Sequence, residues 1–191
     1  MEKSKSTRHN TLRMLTEAAV FIAAAQILSY IKLWQMPYGG SVCLAMLPIL
    51  FFAVRWGLGP GLLAGFVFGI LQFVFNGGFA FGWQSMIGDY LIAFLALGLA
   101  GFGHNKKGGI IWGSLLGCCA RFVVHFVVGA TVWASYMPEE YLGKAMSSPW
   151  IYSFLYNLLY MLPSTVACVA VLAVLMKPLK KYIAGDDLRK A

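Results

Sequence analysis

The sequence predicts an all-α membrane protein of six transmembrane helices with both termini in the cytoplasm, and three observations predict it. Hydrophobic residues make up 60% of the chain and charged residues 12%, with a mean hydropathy of +0.73, well above the apolar share of an ordinary soluble domain. At roughly 20 apolar residues per spanning helix, the 191 residues are used up by about six crossings, which leaves no room for a soluble domain. The basic residues sit at the chain ends and in short connections, as the positive-inside rule requires. The net charge of +8 therefore reports orientation in a lipid bilayer and not a nucleic-acid partner. The expected organisation is one integral membrane domain over 1–191, with cytoplasmic polar tails at 1–10 and 178–191.

The first helix is expected over Leu12–Ile31. It follows the polar stretch Met1–Asn10 and lacks a small-residue cleavage site, so it reads as a retained helix and not a signal peptide. Gly and Pro breaks then delimit Cys43–Trp56 and Gly61–Phe75, both short enough to be tilted, paired or bounded by re-entrant loops. Arg55, Gly57, Gly59 and Pro60 mark the break between them. The remaining runs predict helices over Trp83–Phe102, Gly109–Tyr136 and Trp150–Met176. Of the basic residues outside the helix interiors, twelve fall on the side of the termini and two, Lys32 and Lys144, on the other, which puts both termini inside. Trp34, Trp83, Trp133 and Trp150 then lie near the outer surface, and Trp56 and Trp112 near the inner one; Trp56, Trp112 and Trp150 read as an aromatic belt, while Trp34 and Trp133 stay open to a second role.

Small residues predict where helices touch. Gly61, Gly65 and Gly69, and again Gly109, Gly113 and Gly117, recur at four-residue spacing and let backbones approach closely. Ala19 and Ala23 form a similar pair, open to internal packing or to a partner helix. Cys43, Cys118, Cys119 and Cys168 make no C-x-x-C pair and read as small hydrophobes, without metal or disulfide.

Asp89 is read as the only carboxylate inside the apolar body, which makes it a functional-site candidate by default. Counted from the outer helix ends, it lies roughly 9 Å deep, with His125 at roughly 15 Å and Asn157 at roughly 11 Å. Taken singly, a membrane histidine is more often a helix-to-helix hydrogen bonder. The shared depth of three polar groups on three helices favours a pocket opening outward. Arg121, His125, Gly129 and Trp133 follow at i, i+4 spacing on the fifth helix, while Ser153, Asn157 and Tyr160 share a face of the sixth with Tyr152 and Tyr156 just behind. Arg121 lies deeper and is assigned as a structural counter-charge. One acid among aromatic faces suits a flat cation, held by cation-π contacts of about 0.5 to 2 kcal/mol each.

Alternatives remain open at this point. Asp89 and His125 could serve acid-base chemistry in a membrane enzyme, although the sequence has no H-E-x-x-H, no G-x-S-x-G and no acid cluster for Mg²⁺. A pore or autonomous carrier finds little support, since no inverted repeat is evident. The chain has no G-x-x-x-x-G-K-[ST] loop, so any ATP-driven activity comes from partners.

The stretch Ser29-Tyr30-Ile31-Lys32-Leu33-Trp34-Gln35-Met36-Pro37-Tyr38-Gly39-Gly40-Ser41 resembles the first external loop of the thiamine-specific S components of energy-coupling factor transporters. Asp89-Tyr90, His125 with Gly129 and Trp133, Tyr152-Ser153 and Tyr156-Asn157 resemble that family's later motifs in order and spacing. The resemblance implies a six-helix protein of the prokaryotic plasma membrane, not an enzyme and needing no cofactor. It would bind thiamine from outside and dock on a module of one transmembrane coupling protein and two ATPases. It further implies that Trp34 and His125 flank the thiazolium, that Trp133 stacks on an aromatic ring and that Tyr152 and Asn157 hydrogen-bond the vitamin. Asp89 would hold the aminopyrimidine or offset the cationic charge, with Tyr90, Gly129 and Ser153 completing the site. In that family a longer glutamate is expected at position 89, and aspartate reaches about 1.5 Å less far. Ala19 and Ala23 resemble the motif by which S components contact the coupling protein. The same resemblance leaves an S component for another vitamin as the alternative.

Overall fold

The computed structural model describes residues 2–187, with side chains from His9 onward except that of Tyr38. Lys3, Lys5, Arg8, Arg189 and Lys190, five of the basic residues used to assign orientation, lie outside the described side chains. The helices are α1 (Glu2–Tyr30), α2 (Met46–Trp56), α3 (Leu58–Phe75), α4 (Gly82–Gly103), α5 (Gly109–Thr131), α6 (Pro149–Met176) and a short α7 (Lys180–Ile183). Two small antiparallel ribbons join them: β1 (Trp34–Gln35) with β2 (Ser41–Val42), and β3 (Glu140–Tyr141) with β4 (Lys144–Ala145). Among the described residues, five helices are long and apolar enough to cross a membrane, α1 doing so over His9–Tyr30.

The exception is α2. Its 11 residues rise only about 16 Å, half of a bilayer core. The helix expected from Cys43 begins only at Met46, because Ser41–Val42 enters the bundle as extended backbone and the chain turns before Met46. Ile49 to Arg55 are all buried, because α2 is packed between α1, α3, α4 and α5. A helix apolar on every face belongs in such a place. One residue, Gly57, joins α2 to α3 at φ +90°, a conformation open to glycine at little steric cost. Pro60 falls in the first turn of α3, where its missing N–H has no helical partner to lose.

Both glycine stripes face α4. A Cβ at Gly113 would come within 2.5 Å of the Ala100 carbonyl, and one at Gly117 within 2.7 Å of the Leu97 carbonyl, while Gly65 and Gly69 abut the carbonyls of Phe94 and Tyr90. Gripped this closely from both sides, α4 departs from the plain helix expected over Trp83–Phe102. It runs as α-helix to Ser85, π-helix over Met86–Ile92, α-helix over Ala93–Ala96 and 3₁₀-helix over Leu97–Gly103. The expected helix to Tyr136 also ends early: α5 stops at Thr131, and the Trp133 N–H bonds the Val128 carbonyl at 3.2 Å in a widened last turn. At the start of α6, Pro149 occupies the first turn and the Ser148 hydroxyl accepts the Trp150 N–H at 3.3 Å, a regular N-cap.

Two expectations are corrected at the end of the bundle that holds Arg55. Asp89 is not the only carboxylate in the apolar body, since Glu17 of α1 accepts from the buried Arg55 at 2.6 and 2.9 Å and from Trp56 Nε1 at 2.8 Å. Glu17 lies near the start of the helix expected over Leu12–Ile31, beside Thr16 and four residues after Arg13, with which it also pairs. The segment expected as a polar tail over 178–191 packs on the bundle as far as it is described, to Asp187. Leu179, Tyr182 and Ile183 pack on the core formed around α2, and the hydrogen bonds from Arg55 to Asp187 hold that carboxyl below the usual carboxylate range.

Candidate functional site

At the opposite end of the bundle the helix ends and the β1–β2 ribbon surround a cavity of about 570 Å³, a size typical of small-molecule sites. Its centre is Asp89, carried on the π-helical turn of α4. Such turns widen the helix and recur at functional sites. Gly88, beside it, has no room for a Cβ against Val128, so the turn is fixed by packing on α5. The Asp89 carboxylate accepts from three side chains: Ser85 Oγ at 2.8 Å and Trp133 Nε1 at 2.9 Å on Oδ2, and His125 Nδ1 at 2.9 Å on Oδ1.

The histidine's protonation follows from its partners. Arg121 Nε donates to His125 Nε2 at 3.2 Å, and guanidinium has no acceptor. Nε2 therefore accepts, the imidazole is neutral, and its one proton sits on Nδ1 and goes to Asp89. The result is a relay of acid, neutral imidazole and guanidinium, in which the two charges stand an imidazole apart. Arg121 also lies 4.1 Å from the centroid of the Phe94 ring. It lines the cavity, closer to the site than a purely structural counter-charge is expected to lie.

The wall from α6 is equally ordered. Asn157 Nδ2 donates to the Ser153 carbonyl at 2.8 Å and Ser153 Oγ at 3.2 Å, and its Oδ1 accepts from Tyr160 at 2.8 Å. Ser153 Oγ donates to the Phe126 carbonyl of α5 at 2.7 Å. These bonds cross because Gly129 has no side chain: a Cβ there would run into Ser153 Oγ. Gly129 is thus a packing residue as well as a lining one. Tyr156 ties the wall to the ribbon, donating to the Pro37 carbonyl and accepting the Gly40 N–H at 3.3 Å. Trp133 has Tyr136 at 5.4 Å and Phe81 at 5.7 Å between ring centroids, and Tyr152 stands 5.8 Å from Tyr156.

Asp89, Tyr90, His125, Gly129, Trp133, Tyr152, Ser153 and Asn157 all line this cavity; Trp34 does not. Its side chain is 51% exposed, because alternate residues of a strand face opposite ways and it is the neighbouring Gln35 that lines the cavity. Ser85 and Gln72 were missed. Ser85 stands four residues before Asp89, the spacing of side-chain neighbours on a helix. Gln72 is a lone amide in an apolar helix, bonded to Gln26 of α1 at 2.8 Å.

The profile of the thiamine transporter protein family matches residues 15–184. The chain belongs to that family. Among its relatives, the thiamine transporter ThiT of Bacillus subtilis is 31% identical, over 90% of this chain and 94% of that protein. The ThiT of Lacticaseibacillus paracasei is 30% identical, over 94% of each. A solved structure of ThiT from Listeria monocytogenes has the same fold, with a TM-score of 0.76 at 24% identity over 91% of this chain and 98% of that one. As a member of the thiamine transporter family with five helices of spanning length, the chain is a multi-pass protein of the cell membrane and not an enzyme.

Proposed function

We propose that the chain is a thiamine-binding S component, which captures the vitamin at the membrane face opposite its termini and passes it to an energy-coupling module for ATP-driven uptake. The observation that carries this reading is the aromatic cavity built around Asp89, taken with membership of the thiamine transporter family. A carboxylate held by three donors keeps its charge while its direct neighbours are neutral. A cation in the cavity meets that charge before it meets Arg121. The ring of Trp133 and the tyrosine faces of α6 offer a planar ligand stacking and cation-π contact, and Ser153 Oγ and Asn157 Oδ1, each accepting one hydrogen bond within the wall, keep acceptor capacity for it. Asp89, shorter than the glutamate expected in the family, relies on the Trp133 and Ser85 donors to hold its place at the cavity wall.

Orientation follows from charge. Arg13, Arg55, Lys106, Lys107, Lys177, Lys180 and Lys181 share one end of the bundle, while Lys32 and Lys144 lie at the cavity end, so the cavity opens outward and both termini are cytoplasmic. Ala19 and Ala23 are exposed on α1 together with Leu12, Thr16 and Ile27. Small residues left exposed among the described side chains favour docking on the transmembrane coupling protein of a module with two ATPases. Mass spectrometry of small molecules retained by protein purified from thiamine-fed cells tests the reading. Stoichiometric thiamine is expected, and retention of a different vitamin in its place would overturn the assignment.

A further inference from the structure

Arg55 is the largest fully buried side chain among the described residues, at the end of the bundle far from the cavity. All five of its N–H donors are engaged. Nε gives to Glu17 Oε2 at 2.6 Å, and Nη2 to Glu17 Oε1 at 2.9 Å and Asp187 Oδ2 at 3.0 Å. Nη1 gives to Asp187 Oδ1 at 3.1 Å and to the Tyr182 carbonyl. The guanidinium carbon lies 3.4 Å from the Tyr182 ring centroid. Arg13 completes the cluster, giving Nε to Glu17 at 3.0 Å and Nη2 to Asp187. Two cations thus face two carboxylates, and three separate stretches of chain meet: α1, α2 and the C-terminal segment.

A buried guanidinium paired with carboxylates adds little net stability compared with a well-packed apolar core; its best-attested use is to fix register. The register in question is that of α1. On its inward face Ile22, Ala25 and Gln26 are buried, and on its outward face Thr16, Ala19, Val20 and Ala23 are exposed. An apolar helix on an apolar bundle has few features that resist rotation or sliding. The bidentate grip of Arg55 on Glu17 supplies one, because a turn of α1 or a shift by one residue withdraws both carboxylate oxygens from the guanidinium plane.

We propose that Arg55 is a positioning residue for partner docking, gripping Glu17 and Asp187 so that α1 presents Ala19 and Ala23 at a single angle and depth. The C-terminal segment, through Asp187 and Tyr182, is the second jaw of this clamp. The inference rests on the reading that α1 docks the coupling protein. Thiamine uptake by cells carrying the coupling module, and thiamine binding by the purified chain, are measured for Glu17→Gln, Asp187→Asn and Arg55→Lys beside Ala19→Trp. Glu17→Gln and Asp187→Asn keep shape and lose charge; Arg55→Lys keeps charge but cannot bridge two carboxylates bidentately. The expected result is uptake lower by about tenfold or more, with dissociation constants within about twofold of the parent, and no rescue by lysine. Parental uptake in the Glu17 and Asp187 variants while Ala19→Trp is blocked would overturn the clamp alone, as would binding and uptake falling together. Parental uptake in Ala19→Trp would overturn the docking reading itself.

Discussion

Asp89 and Arg121 are one relay but not equal partners. The carboxylate lines the cavity and accepts from three donors, whereas the guanidinium reaches it only through His125. Asp89→Asn removes the charge that a cation meets and turns one acceptor into a donor facing Trp133 or His125, so it is expected to weaken thiamine binding by about 1.5 to 3 kcal/mol. Arg121→Gln is expected to cost less, and calorimetry distinguishes the two; equal losses would mark a purely structural ion pair. At Gly129 the expectation concerns shape. Gly129→Ala pushes Ser153 and Asn157 away and so displaces their ligand contacts while leaving every other site side chain intact, at a cost of about 1 to 3 kcal/mol, read as a fall in both affinity and thermal stability. The polar convergence of Asp89, His125 and Asn157 was legible because depth along a helix is simple arithmetic. The facing of Trp34 was not, since the parity of a two-residue strand is set by the register of its ribbon.

At the scale of elements, the apolar runs gave away the helices but not their departures from regularity. The π-turn carrying Asp89 depends on how α4 is squeezed between Gly69 of α3 and Val128 of α5, contacts with no trace in local sequence. The missing first turn of α2 was equally hidden, because residues 43–45 are as apolar as a helix there would be. The packed C-terminal segment could have been read: Leu179, Tyr182 and Ile183 have the i, i+3, i+4 spacing of an apolar face, overshadowed by the lysines between them. The β1–β2 ribbon closes the cavity through two hydrogen bonds to one hydroxyl, that of Tyr156. Tyr156→Phe removes both, each worth about 0.5 to 1.5 kcal/mol. Thiamine is expected to dissociate about 5- to 150-fold faster from this variant in stopped-flow measurements, with a smaller change in association.

Over the whole molecule, function divides between two ends: the cavity at one, and at the other the Arg55 cluster and the inner half of α1. That separation predicts independence. Ala19→Trp together with Ala23→Trp should abolish uptake in cells while the purified chain still binds thiamine, because the bulk is added on an exposed face remote from the cavity. Joint loss of binding and uptake would return the pair to internal packing. The central claim, that thiamine is held in this cavity against Trp133, is tested most directly by titrating thiamine into the purified protein and its Trp133→Phe variant while following tryptophan fluorescence. The parent should show saturable quenching with a dissociation constant well below 1 μM, or more than about 8 kcal/mol of binding energy, and the variant should lose most of that quench. No saturable response in the parent, or the same quench in Trp133→Phe, would contradict it.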